Sequence, residues 1–224
     1  MMDIVEAVET RRSVRRFLDR PVDRGVLEEA LRHALRAPSG GNLQPWWLHV
    51  VAGEDLRRLQ DAVRMQAMSG VFAEEIEYDI YPPKLASPYR DRRFELGEAM
   101  YAQIGIPRED KAGRQRWFMR NFECFGAPIL LLCTVDRSMG KPQWSDLGMV
   151  LQTLMLLLRG QGIDSCAQEC WALYPQTIDH VLDLPRERML FTGMSIGYAD
   201  PAEPLNQLRS ARAPLEEVVE FRGL

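Results

Sequence analysis

Val26-Leu27-Glu28-Glu29-Ala30-Leu31-Arg32-His33-Ala34-Leu35-Arg36-Ala37-Pro38-Ser39-Gly40-Gly41-Asn42-Leu43-Gln44-Pro45-Trp46-Trp47-Leu48-His49-Val50-Val51 holds a helix, a stop and a strand in succession. The apolar pairs Val26-Leu27, Ala30-Leu31 and Ala34-Leu35 recur every four residues and draw one broad stripe along a helix. Pro38 to Asn42 stops that helix, and the run Trp46 to Val51 predicts a strand. Working outward, Ile4, Val5, Ala7 and Val8 suggest a first helix ending near Arg11, and Leu56, Leu59, Ala62, Val63 and Ala67 suggest another. The unbroken apolar run Ile129 to Val135 predicts a buried strand of the parallel-sheet type. A core helix follows, with Leu147, Val150, Leu151, Leu154, Met155 and Leu158 at helical spacing, Ser145 as its cap, and Gly160 and Gly162 closing it. A short strand over 165–169, a helix over 175–184 and a strand over 189–198 complete a mixed pattern of helices and strands, and the tail Leu215 to Phe221 reads as one more strand.

One stretch departs from this order. From about Ser69 to Trp117 the chain carries Tyr78, Tyr81, Pro82-Pro83, Pro88 and many charges without sustained periodicity. It reads as an irregular insertion at 69–117 that covers a site, within one domain spanning 1–224.

With 224 residues and 46% hydrophobic content the chain can bury one substantial core. A net charge of −4 gives no global positive field for nucleic acid or an anionic membrane surface, so a basic cluster must act locally. The four cysteines show no CxxC pairing, and reduced thiols in a cytoplasmic protein are expected. Acidic residues at Asp3 and Glu6 stand where a secretory signal would be basic, and the apolar helix is shorter than the ~20 residues a bilayer needs. His33, His49 and His180 are scattered, so neither a metal site nor a nucleophile–base set is expected.

Four arginines, Arg11, Arg12, Arg15 and Arg16, crowd around Ser13 in an acidic chain. Guanidinium forks match phosphate oxygens, and two or three charged hydrogen bonds of roughly 1.5–3 kcal/mol each would anchor a phosphorylated ligand. The same residues would also serve as a solvated cap on a helix end. The turn at Pro38 to Trp46 offers Ser39, Asn42 and Gln44 beside glycines that admit close backbone approach, or it is an ordinary connection.

Taken together, Arg11-Arg12-Ser13-Val14-Arg15-Arg16-Phe17 and Pro38-Ser39-Gly40-Gly41-Asn42-Leu43-Gln44-Pro45-Trp46 resemble the two N-terminal signatures of the nitroreductase family of FMN enzymes. The resemblance continues through Gln152, Ala167 to Cys170, Gly193 to Tyr198 and Arg209 to Pro214, covering nearly everything except the insertion. It implies an α+β fold with a central, mixed but mainly antiparallel sheet flanked by helices, and a homodimer with FMN at the subunit interface and the C-terminal segment exchanged. By this resemblance Arg11, Arg12, Ser13 and Arg15 meet the phosphate, ribityl chain and pyrimidine edge of one flavin, while Pro38, Ser39, Gly40, Asn42 and Gln44 belong to the loop that reaches it from the other subunit. Arg212 corresponds to the family's C-terminal phosphate-binding arginine, with Arg209 standing in for a lysine where Ser210 now sits. The backbone at Gln168, Glu169 and Cys170 corresponds to the segment facing flavin N5, Cys170 replacing a common glycine, and Arg120 and Asn121 match a further polar contact. Arg15 is the candidate for stabilising negative charge developing at the flavin N1 and O2 edge.

The implied chemistry is flavin-centred and needs no protein nucleophile: NADH or NADPH reduces FMN and leaves, then a nitroaromatic, quinone or related acceptor is reduced in a ping-pong cycle. Phe72, Tyr78, Tyr81, Tyr89 and Phe94 either form an aromatic substrate lid or pack the insertion onto the body. Tyr81-Pro82-Pro83 in the insertion and Pro142-Gln143-Trp144-Ser145-Asp146 resemble the branch of the family that contains nitrobenzoate-type reductases, and for such a carboxylate substrate Lys84, Arg90, Arg92 and Arg93 are the candidate partners. Two rivals stand beside this reading. One, implied by resemblance to the deiodinase relatives of the family, whose lid carries a Glu and a Tyr as Glu77 and Tyr81 stand here one helical turn apart, is reductive dehalogenation of a halophenol, although the lysine that completes that lid is not at its interval; the other is FMN storage or sensing without turnover.

Overall fold

The computed structural model describes residues 2–223. The elements run α1 (Ile4–Thr10), α2 (Arg24–Ala34), β1 (Trp46–Ala52), α3 (Gly53–Met68), α4 (Tyr89–Gln103), α5 (Lys111–Met119), β2 (Ile129–Asp136), α6 (Lys141–Gly160), β3 (Asp164–Gln168), α7 (Pro175–Leu182), β4 (Arg188–Gly197) and α8 (Leu215–Val218). The sheet has the order β1-β2-β4-β3, and every neighbouring pair is antiparallel. Its parallel component is one bridge, Ser13 to Ser165, which lays the segment after α1 along β3. The sheet is thus mainly antiparallel, as the resemblance implied.

β2 is correspondingly not a parallel strand. Its unbroken apolar run has another cause: both faces of the sheet are covered. Leu130 and Leu132 join the cluster beneath α3 and α7, while Ile129, Leu131, Cys133 and Val135 join the one beneath α2 and α6. Continuous hydrophobicity reports two covered faces, whatever the direction of the neighbours. A bulge where Cys133 pairs with Thr192 and Thr134 with Leu190 leaves Phe191 as the extra residue. It shifts the side-chain alternation, so that Met189, Met194 and Ile196 all enter the α2/α6 cluster. Gly193 and Ser195 consequently face the opposite layer, where Trp171 packs over Gly193.

Three other expectations are corrected. The insertion is not irregular: α4 and α5 lie within it. Both escaped pattern reading because neither has an apolar stripe, with α4 burying no residue at all. They are joined instead by the Arg114 guanidinium, which donates two hydrogen bonds to Glu98 (2.7 and 3.3 Å) while stacking on Tyr101. The core helix starts four residues before Ser145, at Lys141; Gln143 accepts a hydrogen bond from Gly140 N (3.1 Å), and Ser145 Oγ bonds to Pro142 O. The tail over 215–221 is not a strand in the lone chain. With no sheet edge beside it, it closes one helical turn through Val219 N to Leu215 O (2.8 Å). Among the described residues, no helix is long and apolar enough to cross a membrane.

Candidate functional site

The basic segment is positioned by its apolar neighbours. Val14 and Phe17 are buried beneath β3 and the 120–126 turn, with Val14 N bonded to Ser165 O and Phe17 N to Phe125 O (3.1 Å each). Arg11, Arg12, Ser13 and Arg15 are thereby held at the end of α1 beside the outer edge of the sheet. The C-terminal stretch comes back to them through Asn206, which is 1% exposed. Its Oδ1 accepts from Arg15 N (2.9 Å), and its amide donates to Arg16 O (2.8 Å) and Asp200 O (3.0 Å). Arg209 caps α1 by donating to the carbonyls of Glu9 and Thr10, and Arg12 reaches Gln207 Oε1 at 3.4 Å. Arg159, from the end of α6, adds a guanidinium bonded to Thr10 Oγ1 and Asp164.

The electrostatics of this cluster are unbalanced. Asp164 is engaged by Arg159 at 3.1 Å, whereas among the described residues Arg11, Arg12, Arg15, Arg209 and Arg212 have no carboxylate within 4.0 Å. Burial, and then the nearby charge of Arg212, lower the pKa of Arg11; burial, and then Arg209, lower that of Arg12. Arg12 Nε is buried without a hydrogen-bond partner. Like charges crowded in this way, with an unspent donor among them, suit a dianionic group such as the phosphate of FMN.

The other predicted residues lie as follows. Gln168 turns inward, accepting from Ser195 Oγ and donating to Asn121 O (2.8 Å) and Oδ1 (3.2 Å). Its side chain is therefore engaged within the protein, and so is Asn121. Arg120 stacks on Trp117 and pairs with Glu123 at 3.7 Å. The Cys170 thiol packs into the core while Glu169 stays exposed, so the substitution of Cys for the family's Gly places its bulk inside. Burial raises the Cys166 thiol, with Arg15, Ser13 and Arg11 opposing; Cys170 is pushed well above the ordinary value, and Cys124 and Cys133 to about 12. All four are buried, with no disulfide among the described residues. His49 bonds Thr134 Oγ1 at 3.0 Å, with burial and then Arg188 lowering its pKa, and no metal-ligating group of side chains occurs among the described residues.

The Pro38 loop does not meet the arginines within one chain. It forms a tight turn with Gly41, Asn42 and Gln44 at positive φ, pinned where Ser39 Oγ accepts from Gln44 N (2.9 Å) and Asp146 accepts from Gly40 N (3.3 Å). Asp146 lies 13 residues before Arg159 on α6, which is about 20 Å along the helix axis. Loop and basic cluster thus sit near opposite ends of α6.

Of the predicted lid residues, Phe72 lines a cavity of about 290 Å³ between α3 and α5, with Gln60, Arg64, Met68, Met119 and Phe122. Tyr78 packs against Trp144 and Phe191 and donates its hydroxyl to the Phe191 carbonyl at the bulge, and burial raises its phenol. Tyr81 lies under Arg93, Arg92 pairs with Glu217 and Arg90 with Asp91 (2.8 Å each), and Tyr89 and Phe94 are exposed. Lys84 alone of the four candidate cations has no carboxylate within 4.0 Å among the described residues and no aromatic ring beneath it. Glu77 is paired to Arg137, so it is tied to the body of the fold and not to Tyr81. Sequence reading assigned no role to Asn206, Arg159 or Asp146; each works through a contact to a segment remote in sequence.

Comparison with known proteins identifies the family. The chain is 37% identical to a 4-nitrobenzoate reductase of Pseudomonas putida over 99% of its length and 96% of that protein, and 35% identical to a nitrobenzene nitroreductase of Ectopseudomonas oleovorans over 97% and 96%. Its fold matches the crystal structure of the FMN and NADPH-dependent nitroreductase NfnB from Sphigopyxis sp. strain HMH with a TM-score of 0.97 at 48% identity, covering all of both chains. The FMN-dependent NfnB from Mycobacterium smegmatis, solved in complex with NADPH, matches with a TM-score of 0.92 at 29% identity over 98% of this chain and 100% of that one. The profile of the Nitroreductase family matches residues 8–198, and the chain belongs to that family.

Proposed function

We propose that this protein is an FMN-dependent oxidoreductase that takes electrons from NADPH or NADH and passes them to small nitroaromatic, quinone or related electron-poor acceptors in a ping-pong cycle. It works as a homodimer with a flavin at each of two equivalent interface sites. The observation that carries this reading is the set of five guanidinium-bearing residues, Arg11, Arg12, Arg15, Arg209 and Arg212, gathered from both ends of the chain without a counter-charge. The cofactors are those named for similar nitroreductases, and the nitroaromatic acceptors follow the names of the curated relatives.

When bound, the flavin supplies the redox chemistry. Arg11, Arg12, Ser13, Arg209 and Arg212 hold its phosphate end, and Arg15, fixed through Asn206, places positive charge where negative charge develops on reduction. The separation of the Pro38 loop from the arginines along α6 favours delivery of that loop by a second subunit. So do two exposed apolar features of the lone chain: the tail, with Leu215, Val218 and Phe221 about 60% exposed, and β1, an edge strand with Trp47 and Val50 exposed. Tail exchange across the dimer would cover both. Lys84 is the residue proposed to meet the carboxylate of a nitrobenzoate-type acceptor.

An anaerobic absorption spectrum tests the reading. Purified protein is expected to be yellow, to bleach on addition of NADPH or NADH, and to recover its colour with 4-nitrobenzoate. Colourless protein that takes up no FMN overturns it. Yellow protein that stays oxidised would mark a binding protein instead, and recovery with a halotyrosine but no nitroaromatic would mark a dehalogenase.

A further inference from the structure

The turn over Ser39 to Gln44 is tethered by Asp146, a residue of α6. Asp146 is 3% exposed; one carboxylate oxygen accepts Gly40 N, and the other is buried with no hydrogen-bond partner. Among the described residues no cation lies within 4.0 Å of it. A carboxylate buried with a single hydrogen bond is costly, and packing alone would be met as well by an apolar side chain of similar size. Above it, Gly41, Asn42 and Gln44 hold φ values of 57°, 58° and 49°, in the left-handed region that Gly and Asn tolerate and Gln seldom adopts. Two side chains bond to this turn: Asp146 to Gly40 N from beneath and Ser39 to Gln44 N from within.

We infer that Asp146 is a positioning residue for the cofactor: it fixes the backbone of residues 40–42 in the shape that meets a flavin gripped by the other subunit's arginines. The inference rests on the interface site proposed above, and it makes a directional claim, that Asp146 acts in trans. Asp146→Ala is expected to raise the Kd for FMN about tenfold, equal to about 1.4 kcal/mol, through loss of the preorganised turn. Asp146→Asn keeps an acceptor for Gly40 N and is expected to stay within about twofold of wild type.

Differently tagged mixed dimers supply the test, read by FMN stoichiometry and affinity through quenching of flavin fluorescence. One subunit carries Arg11→Ala and Arg212→Ala, which remove its phosphate grip. With Asp146→Ala on the other subunit, both lesions fall on one site, and the dimer should bind one FMN at wild-type affinity. With all three changes on the same subunit, the surviving grip faces the altered loop, and its single FMN should bind about tenfold more weakly. Equal affinities in the two mixed dimers, or the reverse order, would overturn the inference. Ser39→Ala in the same pair of dimers reads the same turn should Asp146→Ala fail to fold. Wild-type protein that binds no FMN, or binds it as a monomer, would instead overturn the interface reading itself.

Discussion

Gly193→Ala should be among the most damaging single-methyl additions this fold can receive. A Cβ built at Gly193 falls 2.9 Å from Trp171 Cγ and 3.0 Å from Nε1, and closer still to Cδ1. Trp171 cannot yield: it is fully buried, with Phe122 packed edge-on at 5.2 Å. Overpacking typically costs 1–3 kcal/mol, and several ring atoms meeting one methyl in a closed core place this case near 3 kcal/mol. For a chain of this size each kcal/mol lowers Tm by roughly 2–4 °C, so a fall of about 6–12 °C is expected. Thermal and urea unfolding followed by tryptophan fluorescence, at fixed protein concentration so that association does not shift the midpoint, would measure it. Gly97→Ala on α4 is the control: nothing lies within 4 Å of its Cβ, so it should be neutral or gain up to ~1 kcal/mol of helix propensity. Trp171 follows Glu169 in the turn assigned to the flavin edge, so FMN affinity should fall together with stability. A Gly193→Ala protein within about 0.5 kcal/mol of wild type would refute the packing argument.

Three further outcomes are expected. Arg212→Ala removes one charged hydrogen-bonding partner of the phosphate and should raise the Kd for FMN roughly 10- to 150-fold, measured by fluorescence titration, with a weaker dependence on salt than wild type. Tyr78→Phe leaves the Phe191 carbonyl short of a partner and should cost about 1 kcal/mol in denaturant unfolding; a KM for nitroaromatics that stays constant would place Tyr78 in the scaffold, and one that rises would place it at the substrate. Burial first, then Glu77 and Glu74, raise the pKa of Asp179 against the opposing pull of Arg137. A carboxyl raised in the native state binds more protons there than when unfolded, so its penalty is absent below the ordinary value of 3.8 and grows as pH rises through the native value. Asp179→Asn should therefore have a higher Tm than wild type at neutral pH, the difference vanishing in acid.

The parts of the fold legible in the sequence are those where one side of an element meets the core and the other meets water. α2 was readable for that reason: Leu27, Ala30 and Ala34 are buried, and charged residues fill the opposite face. β2 was readable as a strand but not in its direction, because its apolar run records two covered faces. α4 was unreadable because Phe94 and Leu96 alternate with Arg92, Arg93 and Glu95 on a helix that buries nothing in its own chain. For the site, charge density around Ser13 was enough to raise the question of an anion. The contacts that make the cluster a site were not visible: Arg15 and Asn206 are 191 positions apart, and Gly40 and Asp146 are 106 apart. Local patterns carry no information on which distant amide will close a turn.

α6 bears on the proposed dimer through its length. It is a stiff element of 20 residues whose N-terminal half carries the tether of the Pro38 loop and whose C-terminal end carries Arg159 beside the basic cluster. A rigid helix cannot fold its two ends together, so in the proposed dimer each chain would present half of each site at either end. A two-fold axis near its middle would bring the loop end of one copy to the basic end of the other, and the same operation would close both sites at once. In such an assembly the free energy of flavin binding and that of subunit association are linked, because the ligand touches residues of both chains and its full contact set exists only in the dimer. The uncompensated arginines then act on assembly as well as on the ligand: their repulsion opposes closure of the lone protomer's half-site, and the phosphate that relieves it also favours the two-chain state.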